Sequence, residues 1–279
     1  MTHRDTLRIG MGLMGMLAVA ALMLPGCGGP EQPQDSNTAA GAPKPDANQP
    51  DANQPAPAPD ANQPAAKPPA GTPTVATGDL APIPLELPKP RFSGTPKNIP
   101  PGTRVKITKG PAKPRPPFMA PKGCKNVALK KPVTSSDMEP VIGTLDLVTD
   151  GNKEAVEDAY VELGPDVQWV QIDLEAKYKI YAIVVWHEHK DARVYKDVVA
   201  KVADDKDFIT NVRTVYSNDH DNSAGQGIGE SLEYFETNEG WLIDCKGVTA
   251  QYLRLWSNGS TADDLNRYTE VEVYALPAE

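Results

Sequence analysis

The sequence predicts an all-β fold, a jelly-roll β-sandwich over residues 124–279, preceded by a disordered proline-rich stalk. Of the 29 prolines, 25 lie in the first 123 residues and only four lie beyond them. The later residues alternate apolar and polar side chains with the period of a half-buried strand, as in residues 170–174. No segment there keeps a helical period over three turns. Many short strands separated by Gly, Asn and Asp turns are typical of sandwiches and jelly rolls.

Residues 1–26 have the pattern of a secretory signal peptide. Two arginines precede an apolar run from Ile9 to Met23, and its 15 residues are short for a bilayer-spanning helix. The run is followed by Leu-Pro-Gly-Cys27, which resembles a bacterial lipobox. We therefore expect a lipoprotein, anchored to a bacterial membrane through the lipidated Cys27 and facing away from the cytoplasm. An uncleaved anchor, or an ordinary secretory signal with a chance cysteine, is the alternative.

Residues 27–79 are predicted to be a disordered linker rich in Pro, Ala, Asn and Gln. The hexapeptide Pro-Asp-Ala-Asn-Gln-Pro occurs at 45–50, 50–55 and 59–64, and such repeats cannot bury apolar surface. Apolar residues return in residues 80–123. We expect this segment to be extended, partly ordered, free of helix and packed against the folded domain.

Alternation and turn residues predict the strands of the 156-residue domain, 124–279. Residues 178–186 are apolar on both faces, which is typical of a central strand. The predicted strands are 170–174, 178–186, 198–202, 212–216, 241–243, 251–257 and 270–275.

The charge of this domain limits its partners. It contains 15 Lys and Arg residues against 29 Asp and Glu residues, a net charge of −14. A surface this acidic repels phosphate backbones, so nucleic acid and anionic lipid headgroups are poor partners for the domain, and no nucleic-acid partner is expected. Membrane contact is expected through the N-terminal lipid only. An acidic domain can host a hard cation such as calcium, which takes oxygen ligands.

Five motifs, in order along the domain, resemble those of the discoidin family, also called coagulation factor V/VIII type C domains. The resemblance implies a galactose-binding-like jelly roll whose relatives bind sugars, lipid headgroups, collagen or other proteins. The matching segments are 126–136, Val148-Thr-Asp-Gly-Asn152, Gln168-Trp-Val-Gln-Ile-Asp-Leu174, Tyr252-Leu-Arg-Leu-Trp-Ser257 and Glu270-Val-Glu-Val-Tyr274.

The resemblance also implies a structural calcium ion between the early Asp-Gly-Asn loop and the closing strand. Asp150, Asn152 and Glu270 match the side-chain ligands of relatives. Main-chain carbonyls of Leu147, Thr269 and Ala155 stand where relatives supply theirs, although relatives often have Thr at the position of Ala155. The alternative is an ordinary Asp-Gly turn beside a solvated glutamate.

Carbohydrate-binding relatives hold sugar hydroxyls with Arg, His and Asn and stack an aromatic ring on the sugar. We expect the loops around 187–195, 217–229 and 236–241 to share one rim, with the ligand-binding residues His187, His189, Arg193, Asn218, His220 and Trp241.

Two other interpretations of these residues stay open. His187, His189 and a residue of the 219–221 loop could form a transition-metal site. The histidines could instead be solvated or hydrogen-bonded structural residues, with Arg193 in a buried ion pair with a nearby aspartate.

With Cys27 lipidated, Cys124 and Cys245 remain as an even pair in an oxidising compartment, which predicts one disulfide; two free thiols are the alternative. The leading functional prediction is a non-catalytic cell-envelope lipoprotein that displays a binding module, with a glycan as ligand. A module that binds a cell-surface protein is the second hypothesis, and an enzyme with a histidine-bound metal is the third.

Overall fold

The structure, a computed structural model, describes residues 79–91, 101–106 and 113–278. Within these ranges the only helix is a five-residue 3-10 helix, Leu145–Thr149, and none is long and apolar enough to span a membrane. The predicted signal peptide, Cys27 and the hexapeptide repeats lie outside the described residues.

The described strands are nearly all antiparallel. In chain order they are β1 (Leu80–Pro82), β2 (Met119–Pro121), β3 (Lys125–Asn126), β4 (Val133–Ser135), β5 (Val161–Leu163), β6 (Gln168–His187), β7 (Val199–Ala203), β8 (Arg213–Ser217), β9 (Trp241–Ser257) and β10 (Asn266–Pro277). The main sheet has the order β3-β10-β6-β9-β7-β8, with β4 beside β6 and β5 beside β10.

Two long strands, β6 and β9, run through both layers of a sandwich. They pair over 168–173 with 252–257 and again over 178–185 with 241–250, with an irregular stretch between. Side chains from both halves of β6, such as Ile172 and Ile183, lie in one fully buried core cluster. The pair of strands therefore folds over at this irregular stretch, which we call the bend end.

The opposite end of the sandwich, the open end, brings together the last residues of β6 and β9 and the first residues of β10. Tyr268 pairs with His187, and the Tyr268 hydroxyl lies 2.9 Å from Ser257 Oγ. The loops 188–198, 218–240 and 258–265 start and end here. The predicted all-β sandwich is confirmed, but four predicted strands are halves of β6 and β9, because side-chain alternation does not register a bend within a strand.

Residues 79–91 and 113–121 form a covering segment on the outer face of β6 and β10. Ile83 and Ala120 pack with Ala182, Val184 and Trp186 in a second buried cluster, and β1 pairs with β2. Successive side chains of β6 point to opposite faces of the sheet, and apolar residues occupy both faces. Ile183 and Val185 point into the sandwich, whereas Val184 and Trp186 point outward and would face water without the covering segment.

The predicted Cys124–Cys245 disulfide is wrong, because both thiols are free and buried. Cys245 shares the inward face of β9 with Ile243 and belongs to the core cluster. Cys124 belongs to the outer cluster, on the other side of the sheet. Burial raises the pKa of Cys245 to about 12 and also raises that of Cys124, so neither thiol is reactive at neutral pH.

The separate positions of the two cysteines predict the result of a thiol titration. A chain that begins at residue 79, and so lacks Cys27, should show two titratable thiols when it is unfolded without reductant. Its melting temperature should be the same with and without reductant. Unfolded protein with no titratable thiol would contradict this placement.

Candidate functional site

The loops at the open end are tied to one another by main-chain contacts. The Glu236 amide donates to the Arg193 carbonyl (2.9 Å), and the Asn218 amide donates to the Val198 carbonyl (3.0 Å). Tyr195 forms an isolated antiparallel bridge with Ser260. Three loops distant in sequence therefore form one surface, supported by the ends of the long strands.

A buried histidine–glutamate pair lies beneath these loops. His187, the last residue of β6, has its ring inside the sandwich because it follows Ile183 and Val185 on the inward face. Its Nδ1 donates to Glu236 Oε1 at 2.6 Å, and both side chains have no solvent exposure. The other ring nitrogen, Nε2, and the other carboxylate oxygen of Glu236 have no hydrogen-bond partner in the protein.

Tyrosines surround this pair. The ring of Tyr195 stacks on His187 with centroids 4.3 Å apart, and Tyr268 lies at 4.7 Å. Burial, followed by the negative charge of Glu236, raises the pKa of Tyr234 well above its usual value. The Tyr195 hydroxyl has no hydrogen-bond partner in the protein, and the Tyr234 hydroxyl lies near the Glu236 carboxylate without an aligned hydrogen bond. These tyrosines stay neutral at physiological pH and can act as donors or acceptors to a ligand.

Asn218 and Trp241 lie beside an aromatic group. The Trp241 and Tyr234 rings stack with centroids 4.2 Å apart, and Tyr216 meets Trp241 edge-on at 5.8 Å. Asn218 Oδ1 accepts the Val198 amide (2.6 Å). The Asn218 amide nitrogen and the Trp241 indole nitrogen are left without a protein acceptor. Trp241 is half-buried, so one side of this group reaches the surface.

The other predicted ligand residues have different surroundings. Arg193 lies 2.7 Å from Glu188 in an ion-pair contact that lacks hydrogen-bond alignment, whereas Asp191 is 3.8 Å away. His220 is half-buried and its Nδ1 lies 3.2 Å from the Gly229 carbonyl.

His189 is fully buried and donates from Nε2 to the Lys153 carbonyl (2.9 Å). β6 ends before it, so His187 and His189 contact different loops. Among the described residues, no group of converging metal ligands contains a histidine.

The loop predicted to bind calcium lies against the start of the closing strand. Glu270, in β10, is fully buried, and its Oε2 accepts the Gly151 amide at 3.0 Å. Asp150 Oδ1 accepts the Asn152 amide (2.7 Å), which gives the loop its tight turn. Leu147 lies in the 3-10 helix just before the loop, and Thr269 and Ala155 are both buried.

The carboxylate of Glu270 is electrostatically unsatisfied. Its Oε1 is buried without a partner. Burial, with the negative charges of Glu272 and Asp150, raises the pKa of Glu270 to about 9. The nearby Lys153 ammonium pairs instead with Glu272, at 2.6 Å. An oxygen-lined position that disfavours its own negative charge is the kind of position that a cation would satisfy.

A second acidic group was not predicted from the sequence. Carboxylate oxygens of Asp197, Asp219 and Asp221 lie within 4.8 Å of one another. Asp219 also shapes its own loop, because it accepts the amides of Ser223 and Ala224, both at 3.0 Å.

The buried Glu236 was also not predicted from the sequence. The alternation of Leu232, Tyr234 and Glu236 before Trp241 was the one sequence signal for its burial.

Comparison with known proteins gives matches only among solved structures. No protein-family model matches the chain, and no curated protein matches it. The chain is similar to chitosan-binding module 1 of a chitosanase/glucanase from Paenibacillus sp. IK-5, with 20% identity over 53% of this chain and 98% of that one and a TM-score of 0.40. It is also similar to a fucose-binding module of Streptococcus pneumoniae, with 18% identity over 54% and 98% and a TM-score of 0.39.

A family 89 glycoside hydrolase from Clostridium perfringens also matches, with 19% identity over 55% of this chain and a TM-score of 0.42. The chain spans only 15% of that hydrolase.

Proposed function

We propose that this chain is a non-catalytic carbohydrate-binding module whose site is the open end of the sandwich. One observation supports the proposal: buried polar atoms without protein partners concentrate directly beneath the loops of this end, beside a stacked tyrosine–tryptophan pair. Neutral hydroxyls, an amide and an indole N–H match sugar hydroxyls, each of which both donates and accepts. An aromatic ring gives a pyranose face an apolar platform.

Trp241 is the residue at which this proposal is tested most sharply. The Trp241→Phe variant keeps a ring to stack on Tyr234 but removes the unpartnered indole N–H. We expect its glycan affinity to fall about tenfold, because one hydrogen bond to a ligand contributes roughly 1.4 kcal/mol. The measurement is a glycan array with the full chain, followed by calorimetry with the glycan that binds best.

Trp169→Phe is the matched control, because Trp169 stacks on Arg254 and packs with Val199 and Trp256 in a separate cluster, without contact to Tyr234 or Trp241. This variant should bind as the wild type does. If the wild type binds no glycan, or if Trp241→Phe binds as tightly as Trp169→Phe, the proposed site is wrong.

A protein ligand is the second candidate. Three apolar side chains are exposed on loops that start at the open end: Met138 (89%), Ile228 (74%) and Leu232 (43%). Exposed apolar side chains can contribute to a protein-binding surface. A Met138→Ser/Ile228→Ser variant that loses adhesion to cells but keeps its glycan affinity would favour this candidate.

The same proposal includes the attachment predicted from the sequence. We propose that lipidated Cys27 anchors the chain to a bacterial membrane, on the side away from the cytoplasm, and that residues 27–79 act as a spacer. Radiolabelled palmitate should be incorporated by the wild type and not by a Cys27→Ala variant.

We further propose that calcium binds between the 150–152 loop and β10 and acts structurally. Glu270 and Asp150 would supply carboxylate oxygens, and the Asn152 side chain with the carbonyls of Leu147, Thr269 and Ala155 would complete an all-oxygen set, which suits calcium rather than zinc. The buried, unpartnered Glu270 oxygen supports this proposal.

A further inference from the structure

The covering segment packs on the outer face of β6 and also forms hydrogen bonds to residues 238–240, at the end of the 218–240 loop. The Arg115 guanidinium donates to the carbonyls of Glu239 (2.8 Å) and Gly240 (2.9 Å). The Arg115 amide donates to both oxygens of the Glu239 carboxylate, at 3.1 and 3.2 Å. From the other arm of the segment, the Pro88 carbonyl accepts the Asn238 side-chain amide at 3.1 Å.

The gripped part of the loop has little freedom to move. Gly240 packs directly on Trp186, and a Cβ at Gly240 would lie 2.6 Å from that ring. Gly240 also has a φ of 60°, which favours glycine. The Trp186 indole N–H donates to the Asn238 carbonyl at 3.0 Å. Residues 238–240 are therefore held between the strand β6 and the covering segment.

This loop supplies the buried partner of His187. Glu236 lies only two residues before Asn238, and its carboxylate meets the imidazole at 2.6 Å. Tyr234, which stacks on Trp241, belongs to the same loop. Glu236 is followed directly by the short turn whose carbonyls Arg115 binds. The Gly240 amide closes this turn by donating to the Thr237 carbonyl.

We propose that Arg115 is a positioning residue for the open-end site: it fixes residues 238–240 and thereby holds Glu236 against His187 and Tyr234 against Trp241. The sugar-binding consequence of this inference rests on the function proposed above. The covering segment is then a structural part of the binding site. A sandwich truncated at residue 124 lacks this contact.

An arginine suits this position for chemical reasons. Its planar guanidinium presents several N–H donors in one plane, so it can bind two adjacent carbonyls at once. Arg115 is half-buried, and burial lowers its pKa, yet an arginine remains charged. Removing the side chain would leave two main-chain carbonyls of the loop without these donors.

The test compares variants of the full chain by amide hydrogen exchange. In Arg115→Ala, exchange at the Glu236 and Gly240 amides should rise at least about tenfold, the effect of losing roughly 1.4 kcal/mol of local stability. Exchange at Val271, in the centre of β10, should not change. The His187 imidazole N–H resonance, sharp in the wild type, should broaden, and glycan affinity should fall.

Phe118→Ala is the matched control, since Phe118 packs in the outer cluster on the same segment. It should lower the melting temperature but leave the Glu236 and Gly240 amides and the His187 resonance as in the wild type. Arg115→Lys, which keeps a cationic donor, should restore part of the protection. Unchanged exchange in Arg115→Ala, or an equal rise in Phe118→Ala, would overturn the inference.

The readouts separate this inference from the proposed function. Exchange and the imidazole resonance need no ligand, so they decide whether Arg115 holds the loop even if the wild type binds no glycan. If the wild type binds a glycan and Arg115→Ala binds it equally well, Arg115 does not position the site.

Discussion

The His187→Leu variant is expected to lose about 3–5 kcal/mol of unfolding free energy, the cost of leaving a buried charge uncompensated. Leucine has a similar volume and packs between Tyr195 and Tyr268, so the loss arises chiefly from the stranded Glu236 carboxylate, which has no solvent exposure. At about 2–4 °C for each kcal/mol, the melting temperature should fall by about 6–20 °C. Chemical denaturation at pH 7 measures the free energy.

The reciprocal change should cost less. Glu236→Leu leaves the buried imidazole without an acceptor, and an unsatisfied buried polar group costs about 1–3 kcal/mol. The double variant His187→Leu/Glu236→Leu should be more stable than His187→Leu alone, because the unpaired carboxylate is gone. Additive losses in the double variant would show that the two residues are not energetically coupled.

Calcium at about 10 mM is expected to raise the unfolding free energy by up to about 2.7 kcal/mol over chelator, the gain at 100 times the dissociation constant. This corresponds to a rise in melting temperature of about 5–10 °C. Glu270→Gln should abolish the rise. Glu272→Gln changes a residue two positions along β10 that pairs with Lys153. This variant should be less stable than the wild type but should keep the calcium-dependent rise in melting temperature. Equal wild-type melting temperatures in calcium and in chelator would contradict the site.

The raised pKa of Glu270 gives this effect a pH dependence. In chelator, the folded chain holds the Glu270 proton up to about pH 9, whereas the unfolded chain releases it near 4.5. The unfolded state therefore binds fewer protons between these values, and this group lowers stability as pH rises through the window. Calcium must displace the proton, so its stabilising effect should be larger at pH 8 than at pH 6.

The sequence predicted the sandwich because its strands alternate clearly. In β6, Val170, Ile172 and Leu174 point inward, and the polar residues between them do not. The alternation gave no indication that the early Asp-Gly-Asn loop lies beside Glu270; only the family resemblance implied it, and in the structure the Gly151 amide donates to Glu270 Oε2 at 3.0 Å. Local periodicity is a property of neighbouring residues, so it is visible without the fold.

The contacts that build the open end could not be predicted in the same way. Glu236 and His187 are 49 residues apart, and nothing local to either residue indicates that they form a pair. The disulfide prediction failed for a related reason: counting cysteines does not show which side of a sheet each one occupies. The contacts of Arg115 could not be predicted, because it lies among prolines and its guanidinium binds carbonyls that are 124 and 125 residues later in the sequence.

The path of the covering segment determines at which end of the sandwich the described chain begins. The Lys122 amide donates to the Asp79 carbonyl (2.9 Å), so the described chain begins beside the start of the domain. β3, which follows directly, pairs with Tyr274 and Ala275 near the bend end. The first described residue, Asp79, thus lies at the end of the sandwich opposite His187 and Trp241. An attachment through Asp79 would therefore lie at the far end of the domain from the loops for which glycan binding is proposed.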